Sequence, residues 1–351
     1  MGQKAIGTHH PAAVAFAGGQ GDRIVKRREL LIAFGAGAFT APLACFAQPQ
    51  RSKVARIGFL GSASADGSAR SVEELRAGLR DLGYVEGKNM IIEPRWAEGK
   101  YERFPGLLED LIRLNVDVIV THGTPGTRAA KRATTTIPIV MAISGDAVAT
   151  GLVTHLARPE ANVTGSTFFI PQLNAKRLEM LKEAFPRITR VAALSNPGNP
   201  VSKPIVAAMQ AAAGPLKLQL EIAKVQGPSE FSSAFAALTK SRVEAVVVTE
   251  DGEFAPSFKA IAALATANGL ASIGAKEYGD AGGLIGYGVN LLSLYRRAAY
   301  FVDRILKGTK PADLPIEQPT AFELVINQKT ARALGLTVPQ SVLLRADKVI
   351  E

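Results

Sequence analysis

Cysteine is almost missing from this chain. The single one, Cys45, sits in a leader-like segment, and cleavage after Ala47 would leave none. That excludes disulfides and thiol chemistry from the processed protein. Histidine is nearly as scarce, since only His122 and His155 lie beyond residue 47. They are far apart, neither has a ligating neighbour at helical spacing, and H-E-x-x-H does not occur, so no metal site is expected. The phosphate-binding G-x-x-x-x-G-K-[ST] loop is absent, and the loop after the first strand lacks G-x-G-x-x-G, so no nucleotide cofactor is expected. No G-x-S-x-G elbow is present either. With no acid/base pair, nucleophile or metal cluster, the residues point to binding rather than catalysis. Basic blocks with interleaved aromatics are also lacking. The net charge is +10, but residues 1–47 hold five basic and two acidic groups, leaving about +7 dispersed over the rest. Dispersed charge reads as a solvated surface, and nucleic acid is not an expected partner.

What the chain does contain begins with Lys26-Arg27-Arg28 and the apolar segment Leu30–Phe46. A basic start, a short apolar run and small residues before Ala47 describe an export signal. Gly35, Gly37 and Pro42 make the run too short and broken to span a membrane. The arginine pair partly matches a twin-arginine signal, and the export route stays open. Residues 1–24 precede the signal oddly, and Val25 is an alternative initiator. Lipidation at Cys45 is a second reading of the leader, disfavoured by Pro42 at the position where leucine is wanted.

At 351 residues, with 47 % hydrophobic and 21 % charged residues, the chain is long enough for two globular domains. Strands and helices alternate. Val54–Leu60 is an apolar run suited to a strand buried on both faces. The small-residue loop Gly61–Ser68 follows, then a helix that Ser71 and Glu74 are placed to cap. Val72, Leu75, Leu79 and Leu82 fall on one face of it. Further strands are expected at Met90–Pro94, Val116–Thr121, Ile137–Ala142 and Asn162–Gly165, with helices at Phe104–Leu114 and Thr127–Thr134. The pattern restarts with a helix at Leu173–Phe185 and strands at Arg190–Leu194, Gln219–Lys224, Val243–Val248, Ala271–Ile273 and Gly283–Tyr287. This is the α/β class: two parallel sheets in two lobes with a cleft between them. A long helix at Leu291–Lys307 and a late strand at Phe322–Ile326 imply that the chain passes between the lobes more than once.

Five segments carry a resemblance to a known family. They are Arg56–Gly61, Gly78–Gly99, Ser144–Gly165, Glu277–Leu336 and Leu343–Glu351. In these the sequence resembles the ABC-transporter substrate-binding proteins that include tryptophan- and tyrosine-binding members, over essentially all of residues 52–351. The resemblance implies a type I periplasmic-binding-protein fold, two Rossmann-like lobes joined by three hinge crossings. It places lobe 1 at 52–165 plus 290–320 and lobe 2 at 166–289 plus 321–351, after a leader at 1–47. It implies a monomeric periplasmic protein that captures a small organic solute, amino-acid-like or aromatic, and delivers it to an inner-membrane ABC permease. A ligand-sensing module for a signalling receptor is the alternative within the same fold, and an α/β enzyme is a third reading. The loop Thr249–Gly252 departs from the Asp-Pro loop of the family, so the ligand itself is not carried over.

In such a fold the cleft gathers loops at the carboxyl ends of strands, where helix N-termini also point. First-lobe candidates are Ser62, Ser64, His122, Gly123, Thr124, Ser144 and Asp146. Second-lobe candidates are Phe168, Asn196, Glu250, Asp251 and Tyr278. Hydroxyls and backbone amides would hold a carboxylate, Asp251 or Glu250 would pair with an ammonium, and Phe168 or Tyr278 would stack on an aromatic ring. Each has a structural reading beside the functional one. The serines suit helix caps, Thr124 and Asn196 suit turns, Asp146 suits a loop brace, His122 a packed loop, Glu250 a solvent-facing position, and the two aromatics core packing.

Overall fold

The computed structural model describes residues 54–159 and 161–351. The leader, Cys45 and the expectations attached to them lie outside these residues.

Val, Ile and Ala dominate the central strands, which are buried on both faces, as parallel sheets covered by helices require; the edge strands Met90–Trp96, Gln219–Lys224 and Lys348–Ile350 are partly exposed. In chain order the first elements are β1 (Ala55–Gly61), α1 (Ala65–Asp81), β2 (Met90–Trp96), α2 (Phe104–Arg113), β3 (Val118–His122), α3 (Gly123–Ala133), β4 (Ile139–Ile143) and β5 (Val163–Gly165). Their strands form one parallel sheet of order β2-β1-β3-β4-β5, with Ile57 opposite Val118 and Ile139 opposite Val163. There follow α4 (Ile170–Ala184), β6 (Arg190–Ser195), α5 (Ser202–Ala213), β7 (Gln219–Lys224), α6 (Pro228–Lys240), β8 (Ala245–Val248), α7 (Phe258–Ala267), β9 (Ala271–Gly274), α8 (Lys276–Asp280) and β10 (Ile285–Gly288). The tail adds α9 (Leu291–Leu306), β11 (Glu323–Asn327), α10 (Gln328–Ala333), α11 (Gln340–Leu343) and β12 (Lys348–Ile350). The second sheet has the order β12-β11-β10-β9-β8-β6-β7, and only the β10–β11 pair in it is antiparallel.

The chain therefore passes between the sheets three times: after β5, after β10 and before β11. The passages are tied together. The amide of Glu317 donates to the Gly165 carbonyl and that of Thr167 to the Glu317 carbonyl, both at 2.9 Å. Asn290 caps α9, its Oδ1 accepting from the Ser293 amide, while its Nδ2 donates to Glu323 at 3.2 Å. Gly165 has φ +123°, and a Cβ there would lie 2.2 Å from the Met141 carbonyl oxygen. The first passage thus hugs β4 in a way that only glycine permits.

After the second passage α9 returns to the first sheet and crosses α1. At Gly78 a Cβ would meet the Arg296 carbonyl at 2.5 Å and Ala299 Cβ at 2.8 Å, so the helices pack backbone to backbone. Val72, Leu75 and Leu79 of α1 share one core with Ala298, Ala299 and Val302 of α9. Leu82, expected on the same face, is 40 % exposed as the C-cap residue.

Two helix starts differ from the sequence expectation. Ser64, not Ser71, caps α1, its hydroxyl accepting from the Gly67 amide at 3.2 Å. Ser71 lies inside the helix, so the loop after β1 is shorter than expected. Helix α3 begins at Gly123 rather than Thr127. Glycine at φ +74° makes the turn directly out of β3, and Pro125 is tolerated in the first turn, where an amide has no helical partner.

Candidate functional site

Loops from the carboxyl ends of strands of both sheets converge on one cavity of about 60 Å³. Seven of the candidate residues line it: His122, Gly123, Thr124, Ser144, Phe168, Glu250 and Asp251. The remaining five do not. Ser62 is buried beside it, donating to the His122 carbonyl at 3.3 Å. Ser64 is an exposed helix cap. Asp146 braces the turn after β4, its Oδ1 accepting from the amides of Val148 and Ala149. Asn196 shapes its own loop, accepting from the Gly198 amide at 2.9 Å. Tyr278 is fully buried in the core of the second lobe, edge-on to Phe258. Its ring lies against Gly274 and Gly283, where any side chain would collide with it, so it cannot stack on a ligand.

The first-lobe wall is built around the start of α3. Thr124 Oγ1 accepts from the Gly145 amide at 3.1 Å and is hydrogen-bonded to Ser144 Oγ at 3.1 Å. Gly123 and Thr124 at the start of α3 line the cavity with Ser144, and a helix N-terminus flanked by hydroxyls is a suitable seat for a carboxylate. His122 lies edge to edge with Tyr295, the two rings nearly parallel with centroids 5.8 Å apart, and its Nδ1 is hydrogen-bonded to the Tyr295 hydroxyl. Burial pulls the His122 imidazole down to about 4. It is thus a neutral, flat surface at ordinary pH rather than a charge.

The second-lobe wall separates the two acids. Glu250 is already paired: its Oε1 is 2.6 Å from Arg177 Nη1, and its Oε2 accepts from Asn174 Nδ2 at 2.6 Å. It is neither solvent-facing nor available to an ammonium. Arg177 is fully buried and also donates from Nε and Nη2 to the Tyr287 carbonyl, at 2.9 and 2.7 Å. Asp251, by contrast, has only neutral hydrogen-bond partners. Its Oδ1 accepts from the Glu253 amide at 2.9 Å, and its Oδ2 accepts from Asn199 Nδ2 at 2.9 Å and from the Tyr101 hydroxyl of the first lobe at 3.2 Å. Burial pushes its carboxyl above the ordinary carboxylate range, and these hydrogen bonds oppose the shift. A desolvated carboxylate without a cation is an electrostatic demand for one.

Arg177, Asn199 and Tyr101 escaped sequence reasoning. Arg177 sits among other charged residues of a helix and carries no pattern. Asn199 shares the loop Asn196–Pro200 with the candidate Asn196 and carries no separate signal. Tyr101 follows β2 in a short turn whose approach to the opposite lobe is a property of the fold alone.

The lobes meet closely around the cavity. A Cβ on Gly252 would lie 2.8 Å from Ser62 Cβ across the interface. Gly252→Val is therefore expected to prop the lobes apart, because its branched side chain has no room in the closed form. It should weaken ligand binding by roughly tenfold or more while leaving the urea midpoint nearly unchanged. The radius of gyration in small-angle scattering should remain at the open value when ligand is added. Wild-type affinity in that variant would contradict the closed packing.

Two α/β lobes, three passages between them and a cavity at the meeting of their loops define a hinged binding protein of the type I periplasmic-binding-protein fold. The comparisons agree. A family model for the ABC transporter substrate binding protein matches residues 56–350. A curated relative, the tyrosine-binding protein of Clostridioides difficile strain R20291, is 26 % identical over 259 residues, 74 % of each chain. Among solved structures, an ABC domain from Streptococcus pneumoniae in complex with L-Trp superposes with a TM-score of 0.75 at 28 % identity, covering 84 % of this chain and all of that one. A conserved domain protein from Vibrio cholerae gives 0.78 at 26 % identity, covering 85 % of this chain and 100 % of that one. The chain belongs to the ABC transporter substrate-binding proteins, and its task is to bind a solute for an importer. Among the described residues no helix is long and apolar enough to cross a membrane.

Proposed function

We propose that this protein captures an aromatic amino acid in the interlobe cavity and presents it to an inner-membrane ABC permease. The observation that carries the reading is the pairing of opposite demands across one small space. The first turn of α3 with Thr124 and Ser144 suits a carboxylate, while Asp251 has no cation and suits an α-ammonium. Between them lie Phe168, Ile143, Ile170 and Val201, an apolar lining for a side chain. Relatives described as tyrosine-binding or as complexed with L-Trp support the aromatic class. The lobes comprise 52–165 with 290–320 and 166–289 with 321–351, and the protein acts as a monomer without catalytic turnover. Export through the leader at 1–47 places it in the periplasm.

Closure over the solute gives affinity through preferential binding to the closed state. Titration calorimetry on protein stripped of ligand by unfolding and refolding tests the reading. L-Trp, L-Tyr or L-Phe should bind, one per chain, at micromolar or tighter dissociation constants. L-Lys, L-Glu and indole-3-propionate, which lacks the ammonium, should bind at least roughly a hundredfold more weakly. Equal binding of indole-3-propionate and L-Trp would sink it.

A further inference from the structure

Beside the cavity lies a second chamber of about 120 Å³, walled by α1, the turn at 255–257, α8 and the start of α9. The two spaces share His122, Gly252, Ala255, Phe258 and Leu291. Gly252 and Ala255 are small, His122 and Phe258 are flat and Leu291 is apolar, which suits a planar ring passing between the two spaces. The chamber's polar inventory is short. The His122 and Tyr295 side chains are hydrogen-bonded to each other. Ser68 and Ser71 lie on the α1 side, and Arg70 is exposed at the rim. Among the described residues, Glu277 of α8 is the only acid lining the chamber. Its Oε1 accepts from the Leu291 amide at 2.7 Å, while its Oε2 is buried and reached by no donor from another residue. Lys276 beside it is engaged with Asp280 and Glu323.

A buried acceptor that no other residue satisfies is a cost, and a ligand that brings the donor recovers it. Resting on the aromatic amino-acid reading above, we infer that this chamber receives the far edge of the ligand ring and that Glu277 Oε2 accepts a hydrogen bond from a ring N–H or O–H. Glu277 is thus a specificity-determining residue that selects indole or phenol side chains over plain hydrocarbon rings. A site built around such an acceptor rejects the analogue lacking the donor, because the analogue leaves the buried oxygen unsatisfied.

The test compares two near-isosteric pairs by calorimetry: L-tryptophan against benzothienyl-L-alanine, in which sulfur replaces the indole N–H, and L-tyrosine against L-phenylalanine. Wild type should favour the donor-bearing member of at least one pair by about tenfold or more. Glu277→Gln retains the Oε1 acceptor for Leu291 but places an amide NH2 where Oε2 was, and it should reduce that preference to within about twofold. Glu277→Ala should do the same, with its urea midpoint reporting any cost from the freed Leu291 amide. No preference in wild type, or an undiminished preference in both variants, overturns the inference and leaves the aromatic reading standing. If none of the four compounds binds wild type, the aromatic reading fails and this inference with it.

Discussion

Asp251→Asn is expected to lower the affinity for L-tryptophan roughly a hundredfold or more with only a small change in stability. The substitution keeps the shape of the side chain and removes its charge. In the closed form Asp251 is 7 % exposed and surrounded by neutral donors from Glu253, Asn199 and Tyr101. The Asn196 side chain reaches it as well, and none of these donors carries a charge to balance the carboxylate. Truncating one side of a buried charge pair in a binding site costs about 2–5 kcal/mol, which sets the expected loss. The stability half has two opposed parts. Neutralising a desolvated carboxylate removes a cost from the free protein, while the NH2 that replaces one oxygen faces donors from Glu253, Asn199 or Tyr101 and gives up accepted hydrogen bonds. Calorimetry and urea denaturation of the same preparation measure both halves. Wild-type affinity in Asp251→Asn would show that the ammonium is held elsewhere.

Arg177→Met is expected to destabilise the protein by about 3–5 kcal/mol, read as a large drop in urea midpoint, because it strands a buried carboxylate. Glu250 has 12 % side-chain exposure, and its counter-charge comes from Arg177 alone among the described residues. The same substitution removes both donors from the Tyr287 carbonyl, just before the second passage between lobes. The double variant Arg177→Met with Glu250→Gln should recover a substantial part of the loss, since no buried charge remains and the glutamine still accepts from Asn174. Equal destabilisation in the single and double variants would mean that the Tyr287 carbonyl, not the ion pair, dominates. The pair also explains why two adjacent acids in one loop have different fates. Arg177 neutralises Glu250 within the protein and leaves Asp251 as the acid with unmet charge.

The fold was legible because its signals are local and repeated. Val118–Val120 and Ala245–Val248 are unbroken apolar runs, as suits strands covered on both faces, and the face of α1 follows from the spacing of Val72, Leu75 and Leu79. The site was legible only as far as topology goes. The rule that ligands meet the carboxyl ends of strands finds Gly123, Thr124, Ser144 and Asp251, because their loops follow β3, β4 and β8 directly. It names Asn196 but not Asn199, although both side chains reach Asp251 and it is Asn199 that lines the cavity. Nor can it foresee Tyr278, whose position after β9 suits a cleft but whose ring is trapped beneath Gly274 and Gly283. Arg177 was hidden for a different reason. Its partners, Glu250 and Tyr287, lie far from it in sequence, and an arginine on a helix ordinarily faces water.

The return of α9 to the first sheet has a consequence for the order in which the chain can fold. Synthesis delivers β1–β5 first, yet the apolar face of α1 stays uncovered until α9 exists, and Arg296 meets Asp81 over a separation of 215 residues. Closing so long a loop before its contacts reward it makes early completion of the first lobe unfavourable. By the time α9 arrives, every strand of the second sheet through β10 has been made. The two lobes are therefore not independent folding units strung in series. The nascent first half waits, unfinished, for the second.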